Sequence, residues 1–206
     1  ILFIGVLIAP IFMSLSYSFT EWNGLKDPIF IGLDNYKELF TSKSINIMRA
    51  LKNSLLLAGL SVFIQLTFAL WLALKLGKKP VGERAYLSIF FMPVLISTVV
   101  IGQLWLKIYN PDYGVLNLLL RSLGLESWTR VWLGDKNTAL WAAFVPILWQ
   151  YVGYHMAIQL AAMRNISPDI YEAASIDGAG RWQQFTRITL PLIKPILKID
   201  SILIIT

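Results

Sequence analysis

Long uncharged apolar runs dominate the sequence. Residues 1–20, 54–74, 85–106 and 138–163 contain no Asp, Glu, Lys or Arg. A helix needs roughly 20 mainly apolar residues to cross about 30 Å of hydrocarbon, so each run predicts a membrane-spanning helix. Residues 188–206 are also mostly apolar, although they include three charged side chains. We interpret them as the first part of a fifth, incomplete span.

These runs predict an all-α fold, a polytopic transmembrane helical bundle that forms a single domain over residues 1–206. Strands of a membrane barrel would instead alternate in hydrophobicity over about ten residues. Pro93 and Pro146 lie inside predicted spans and should kink them. A signal peptide is the alternative for residues 1–20, but no charged segment precedes the run.

Composition narrows the class further. Hydrophobic residues make up 56% of the chain and charged residues 15%, against roughly 45–50% and about 25% in soluble domains. The net charge of +6 does not gather into a basic stripe, which argues against a nucleic-acid partner. With no cysteine and only one histidine, His155, we expect no metal site. We also expect no bound cofactor.

Loop charge predicts the orientation. Residues 75–84 contain four basic side chains and one acidic side chain, whereas the other connecting segments are close to balanced. Because loops rich in Lys and Arg stay on the cytoplasmic side, residues 75–84 are expected there. By alternation, residues 164–187 are cytoplasmic as well, while residues 21–53 and 107–137 face outside.

Residues 164–187 carry the clearest local signals. Ser167 is a good N-cap residue, Pro168 suits the first helical position, and Asp169 suits the positive end of a helix. Gly178 can take the left-handed conformation that ends the helix after Asp177. A second helix is expected from about residue 180 to residue 189, before Pro191. The residues alone leave open whether this element binds a partner protein or lies on the lipid surface.

A longer pattern identifies a family resemblance. Glu172-Ala173-Ala174 is followed after three residues by Gly178, after nine more by Ile188, and then by Leu190-Pro191. This pattern resembles the EAA loop of integral membrane permease subunits of binding-protein-dependent ABC importers. Further segments look like carbohydrate-uptake permeases of the maltose and glycerol-3-phosphate type: residues 31–36, Asn53-Ser54, Tyr109-Asn110-Pro111 with Gly114 and Asn117, and residues 132–135.

The resemblance implies a type I importer permease and its partners. These are a cytoplasmic ATPase dimer, a second permease subunit, an extracellular or periplasmic solute-binding protein, and the lipid bilayer of a bacterial plasma membrane. ATP hydrolysis would occur in another subunit, so this chain would be a non-catalytic pore subunit. The family usually has a sixth span, so the end of span five and span six are expected to lie beyond these residues. The expected contacts with the ATPase are Tyr171, Glu172, Ala173, Ala174, Asp177 and Gly178.

Polar residues inside the predicted spans are candidates for a sugar path. Tyr151, His155 and Gln159 are spaced four residues apart and share one helix face, and Gln103 is a further candidate in span three. The alternative is that these groups only form hydrogen bonds between helices. Asp200, in the fifth segment, should require water or a partner on a neighbouring helix.

Two other classes of function remain as alternatives. A secondary transporter of a small polar solute would be expected to show acidic residues in mid-span or paired half-repeats, and only Asp200 qualifies. A membrane enzyme would need clustered catalytic groups at one depth.

Overall fold

The computed structural model describes residues 4–41 and 46–205, and most of that backbone is helical. The α-helices are α1 (Ala9–Tyr17), α2 (Asp34–Thr41), α3 (Ile47–Leu60), α4 (Leu66–Leu76), α5 (Glu83–Phe91), α6 (Thr98–Ile108), α7 (Val115–Ser122), α8 (Ala139–Arg164), α9 (Pro168–Ile176), α10 (Arg181–Gln184) and α11 (Leu190–Leu203). Wider π turns cover Ile4–Ile8, Ser61–Gln65 and Phe185–Thr189, and 3-10 turns cover Met92–Leu95 and Glu126–Trp128. The expected all-α class is confirmed.

The chain divides into two compact units, Ile1–Ser54 and Leu55–Thr206. In the first, helix α1 leads into two short antiparallel strands, β1 (Thr20–Glu21) and β2 (Ile29–Phe30), with Thr20 opposite Phe30. The Asn35 amide donates hydrogen bonds to the carbonyls of Ser18 and Thr20, both at 3.0 Å. Of the predicted span 1–20, the structure places Ile4–Tyr17 in helix, while residues 1–3 lie outside the described part.

The predicted span 54–74 lies inside a continuous helix, Ile47–Leu76. Within the described residues it is the one unbroken helix whose length and apolar composition suit a membrane crossing; counting a bent pair as one span would add a second. Helix α8 covers the predicted span 138–163 and contains polar side chains that turn inward, as described below. Each predicted span contains helix in the structure, which supports the predictions; the membrane crossings themselves stay predictions.

The predicted span 85–106 is broken rather than straight. Segments Glu83–Leu95 and Thr98–Ile108 meet at an angle of 99°, with Pro93 in the 3-10 turn just before the break. The expected kink near Pro93 is therefore confirmed. Such a break leaves backbone groups without helical partners, and the Gln150 amide of α8 donates to the Ile96 carbonyl at 3.4 Å. Helix α8 itself runs through Pro146 as one element.

Helices α4 and α8 pack closely because their facing residues are small or apolar. Ala69 and Ala73 of α4 are fully buried, as is Met156 of α8. Leu72, Leu76, Val152 and Leu160 complete this cluster. Gly153 brings α8 against α5, where an added Cβ would overlap the Phe90 carbonyl group. Small residues at helix contacts are how membrane helices approach each other.

We expect Gly153→Ala to destabilise the fold. The new methyl group would collide with the backbone of α5, which cannot move aside as a side chain could, and overpacking of this kind costs about 1–3 kcal/mol. Thermal unfolding of the purified full-length protein in detergent measures the effect. Gly102→Ala is the matched control, because its Cβ would meet no atom within 4 Å. Equal melting temperatures for both variants would contradict the close contact.

The segment after α6 folds around a buried amide. Asn117 is 2% exposed; its Oδ1 accepts from the Trp132 indole at 2.8 Å, and its Nδ2 donates to the Arg130 carbonyl at 3.0 Å. Tyr109 lies beside Trp132 with ring centroids 6.3 Å apart. Burial raises the pKa of Tyr109 to about 12. The predicted outer loop therefore has a fixed structure.

Candidate coupling loop and buried polar cluster

We call residues 164–187 the coupling loop, after the role that the resemblance implies. Its first helix begins and ends where the sequence predicts. The Asp169 backbone N–H donates to Ser167 Oγ at 3.3 Å, and Pro168 opens α9. Helix α9 ends at Ile176, with Asp177 as its C-cap. Gly178 follows with φ +76°, a left-handed conformation that glycine adopts without steric cost. All these signals are local in sequence, which is why they could be recognised without a structure.

The second helix starts as predicted and is followed directly by α11. It begins at Arg181 after Gly180, whose backbone N–H donates to Gln183 Oε1 at 2.8 Å. The chain then passes through the π turn Phe185–Thr189 directly into α11. The expected helix over residues 180–189 is therefore matched by residues 181–189, and no loop separates it from α11. Pro191 has no backbone N–H to donate within a continuous helix. The π turn changes the backbone hydrogen bonding just before it, and Pro191 lies at the start of the new α-helix, where no N–H is required.

Helix α9 is attached to the segment that leads into α11. The Tyr171 hydroxyl lies 2.9 Å from Thr189 Oγ1, and Thr189 is 6% exposed. The Gln184 amide donates to Ser175 Oγ at 2.9 Å and to the Ala179 carbonyl at 3.2 Å. The turn around Gly178 is therefore bridged by side chains on both sides. At the other end of the loop, Arg164 forms an ion pair with Glu83 of α5.

One side of the coupling loop is open to contact. Of the six expected ATPase contacts, Glu172, Ala173, Asp177 and Gly178 are exposed, while Tyr171 and Ala174 are half-buried. Ile176 is 81% exposed. Within the described residues, Glu172 has no ion-pair partner on this chain. This surface offers small, apolar and acidic groups to a partner.

The most deeply buried polar groups join α8 to α11. Asp200 is fully buried; its Oδ1 lies 2.7 Å from His155 Nδ1, and its Oδ2 accepts from Gln159 Nε2 at 2.8 Å. His155 is 2% exposed and Gln159 is fully buried. We call these three residues the Asp200 cluster. The expected need of Asp200 for a partner on a neighbouring helix is confirmed, and these contacts connect the two helices that flank the coupling loop.

The four predicted path residues fall in different environments. Tyr151 and His155 line a cavity of about 360 Å³, whereas Gln159 lies in the Asp200 cluster. Gln103 is exposed on α6 and does not line this cavity. His155 is therefore common to the cavity and the Asp200 cluster, Tyr151 belongs only to the first and Gln159 only to the second, and Gln103 lies apart from both.

The same cavity contains polar residues that the sequence patterns did not select for the path. Ser61 and Gln65, four residues apart at the ends of a π turn, line it together with Tyr154. Gln65 is fully buried, and both its Nε2 and its Oε1 lack a hydrogen-bond partner. Their spacing on one helix face was the available signal. Among the described residues, no group of three His, Cys, Asp or Glu side chains could hold a metal ion.

Comparison with known proteins agrees with this architecture. Residues 65–204 match the family of binding-protein-dependent transport system inner membrane components. The probable ABC transporter permease protein YurN of Bacillus subtilis is 37% identical, with 100% of this chain and 71% of that protein aligned. The diacetylchitobiose uptake system permease protein NgcF of Streptomyces coelicolor is 34% identical, with 94% of this chain and 57% of that protein aligned.

A solved structure gives the same fold. The crystal structure of a bacterial ABC transporter that imports the acidic polysaccharide alginate aligns with a TM-score of 0.82 and 30% identity, over 98% of this chain and 67% of that chain. The fold is thus that of a type I importer permease. The chain belongs to the family of inner membrane components of binding-protein-dependent transport systems, which confirms the resemblance found in the EAA pattern. It spans about 57–71% of the length of these relatives.

Proposed function

We propose that this chain is part of a pore-forming permease subunit of an ATP-driven sugar importer in a bacterial plasma membrane, with residues 164–187 in the cytoplasm. Family membership supports a membrane location, and the loop charges support the orientation. The names of several relatives support a carbohydrate cargo. The specific sugar differs among those relatives.

The observation that carries the proposal is a continuous set of contacts from the coupling loop to the middle of the bundle. Helix α9 is bonded to the segment before α11 through Tyr171 and Thr189, and α11 is bonded to α8 through Asp200. A displacement of α9 by an ATPase subunit would therefore move α11 and α8 together. Transmission of this kind depends on elements that keep their internal geometry while their neighbours rearrange.

ATP chemistry belongs to a separate subunit in this proposal. The chain has no G-x-x-x-x-G-K-[ST] sequence, the loop with which many ATPases bind phosphate. Its role is non-catalytic, and its partners are an ATPase dimer, a second permease subunit and a solute-binding protein. The alginate importer has been solved with a periplasmic protein that carries an alginate pentasaccharide, which supports a solute-binding partner here.

The test is sugar uptake by the full-length protein, assembled with its partner subunits in proteoliposomes. We expect radiolabelled sugar to accumulate only when ATP and the loaded binding protein are both present. The control replaces ATP with an imposed proton or sodium gradient. Uptake driven by the gradient alone would contradict the proposal and favour the secondary transporter.

The cavity between α8 and the π turn Ser61–Gln65 is the proposed sugar contact within this chain. Its volume of about 360 Å³ lies in the range of small-molecule sites. Tyr151 and Tyr154 supply rings and hydroxyls, and the unpaired amide of Gln65 supplies one donor group and one acceptor group. Both atoms of that amide are buried in this conformation, so a sugar hydroxyl would reach them once the π turn Ser61–Gln65 and α8 move apart during transport.

We expect Gln65→Leu to weaken uptake while leaving stability equal or higher. The substitution removes a buried amide that lacks hydrogen bonds within the chain, so folding gains about 1–3 kcal/mol if nothing else binds the amide. Loss of a hydrogen bond to sugar should raise the KM for transport roughly tenfold. Thr67→Val on the same helix is the control, because Thr67 is exposed, lies outside the cavity and is not a candidate for the sugar path. Unchanged transport kinetics in Gln65→Leu would argue against a sugar contact there.

A further inference from the structure

A basic groove lies beside the coupling loop. It has a volume of about 650 Å³ and is bounded by the end of α4, by the segment after α4 and by the start of the second loop helix. The residues that shape it are Trp71, Lys75, Lys78, Arg181, Trp182 and Phe185. The groove shares no lining residue with the sugar cavity. Tyr171, one of the expected ATPase contacts, also lines it and directly precedes Glu172 in the sequence.

The groove is positively charged and contains no acidic side chain. Lys75, Lys78 and Arg181 are exposed, and none of them forms an ion pair within the part of the chain that the structure describes. The ammonium group of Lys75 lies 5.6 Å from the centre of the Trp71 ring. Three cations from two separate segments therefore converge without a countercharge on this chain.

Exposed aromatic surface continues from the groove along the membrane-crossing helix. Trp71 stacks on Phe68 with ring centroids 5.8 Å apart and an interplanar angle of 11°. Trp71 is 51% exposed and Trp182 is 73% exposed. Tryptophan is enriched where the hydrocarbon meets the headgroups, and Lys75 and Lys78 follow at the end of the apolar run. The cations and the exposed aromatic rings therefore follow one another in the same order as the headgroup and the acyl chains of a phospholipid.

We propose that this groove binds one anionic diacyl phospholipid of the cytoplasmic leaflet. The phosphate lies among Lys75, Lys78 and Arg181, and the acyl chains follow Trp71 and Phe68 towards the bilayer centre. A bound lipid would neutralise the cations and cover the exposed indole of Trp182. It would also contact α4 and the second loop helix at once. The proposal uses the predicted orientation of the loops but does not depend on which solute is carried.

The test measures lipid binding to the full-length protein in its assembled transporter. Native mass spectrometry in detergent, with added phosphatidylglycerol or phosphatidylcholine, counts the lipids retained. We expect wild type to retain phosphatidylglycerol in clear preference. Each removed charge should weaken that binding about fivefold, and Lys75→Gln/Lys78→Gln/Arg181→Gln together about a hundredfold. Lys78→Gln alone, at an exposed position, gives a second measurement if the triple variant assembles poorly.

Matched controls separate this groove from general charge effects. Lys107→Gln/Lys136→Gln removes two exposed cations from the predicted outer loop and should leave lipid retention unchanged. The proposal would be overturned if this control lost as much phosphatidylglycerol as the groove variants, or if the groove variants lost none. So would displacement of the lipid by millimolar glycerol phosphate, which would indicate a site for free anions. If the groove variants lose ATPase subunits but keep phosphatidylglycerol, the groove is a protein interface and the lipid proposal is wrong.

Discussion

Asp200→Ala is expected to cause the largest loss of function among substitutions away from the coupling loop. Removal of the carboxylate leaves the buried polar atoms of His155 and Gln159 without their shared partner. Breaking a buried charged contact costs about 3–5 kcal/mol in soluble proteins, and hydrogen bonds between membrane helices are weaker, at about 0.6–2 kcal/mol. We therefore expect a melting temperature several degrees lower and a much smaller number of solute molecules transported per ATP.

Asp200→Asn distinguishes hydrogen bonding from charge. The asparagine side chain can accept from Gln159 Nε2 and donate to an unprotonated His155 Nδ1, so both contacts can persist without the carboxylate. We expect this variant to retain most of the transport per ATP that Asp200→Ala loses. Lys198→Ala, two residues away and exposed on α11, is the control for a change in this helix. If Asp200→Ala transported as many solute molecules per ATP as the unmodified protein, a mechanical role for the cluster would be contradicted. If the unmodified protein showed no ATP-dependent uptake at all, the proposed function itself would be overturned.

Gly178→Val is expected to uncouple ATP hydrolysis from transport. Gly178 has φ +76°, and a β-branched residue held in that region is strained by about 1–3 kcal/mol. A strain of about 2 kcal/mol lowers the population of the native turn roughly 30-fold relative to alternatives. The turn joins α9 to the segment before α11, so α9 would no longer move with that segment. ATPase activity and sugar uptake, measured in the same proteoliposomes, give the coupling ratio.

Gly178→Asn provides the matched comparison at the same position. Asparagine tolerates the left-handed region far better than valine does, and an added Cβ here would meet no atom within 4 Å. We expect Gly178→Asn to keep a coupling ratio near that of wild type. Equal uncoupling by both variants would show that side-chain size at the ATPase contact, rather than backbone conformation, is what matters.

Local signals explain which parts of the coupling loop could be predicted. The cap at Ser167, the proline at the start of α9 and the glycine at its end each act through neighbours within a few residues, so sequence contains all the required information. The continuation of the second helix into α11 could not be predicted in the same way. A π turn and a proline can either end a helix or be accommodated in it, and packing against neighbouring helices decides between these outcomes.

Contacts between distant residues decided the roles of the polar side chains. His155 and Asp200 are 45 residues apart in sequence, and the 3.6-residue period places them on helix faces without saying which faces meet. The α8 spacing correctly grouped His155 and Gln159, but only the packing of α11 paired them with Asp200. Gln103 resembled them in type and predicted depth, yet it is exposed on α6 and apart from the cavity.

The sequence by itself determined the helical class, the position of the coupling loop and its family, because apolar run length, cap residues and the EAA pattern are properties of short stretches of chain. The tertiary structure decided the 99° break after Pro93, the partner of Asp200 and the unpaired amide of Gln65. Each of these features depends on which helix surfaces meet. A buried polar group, or a backbone group freed at a helix break, is stable only where a neighbouring element or a ligand supplies its hydrogen bonds.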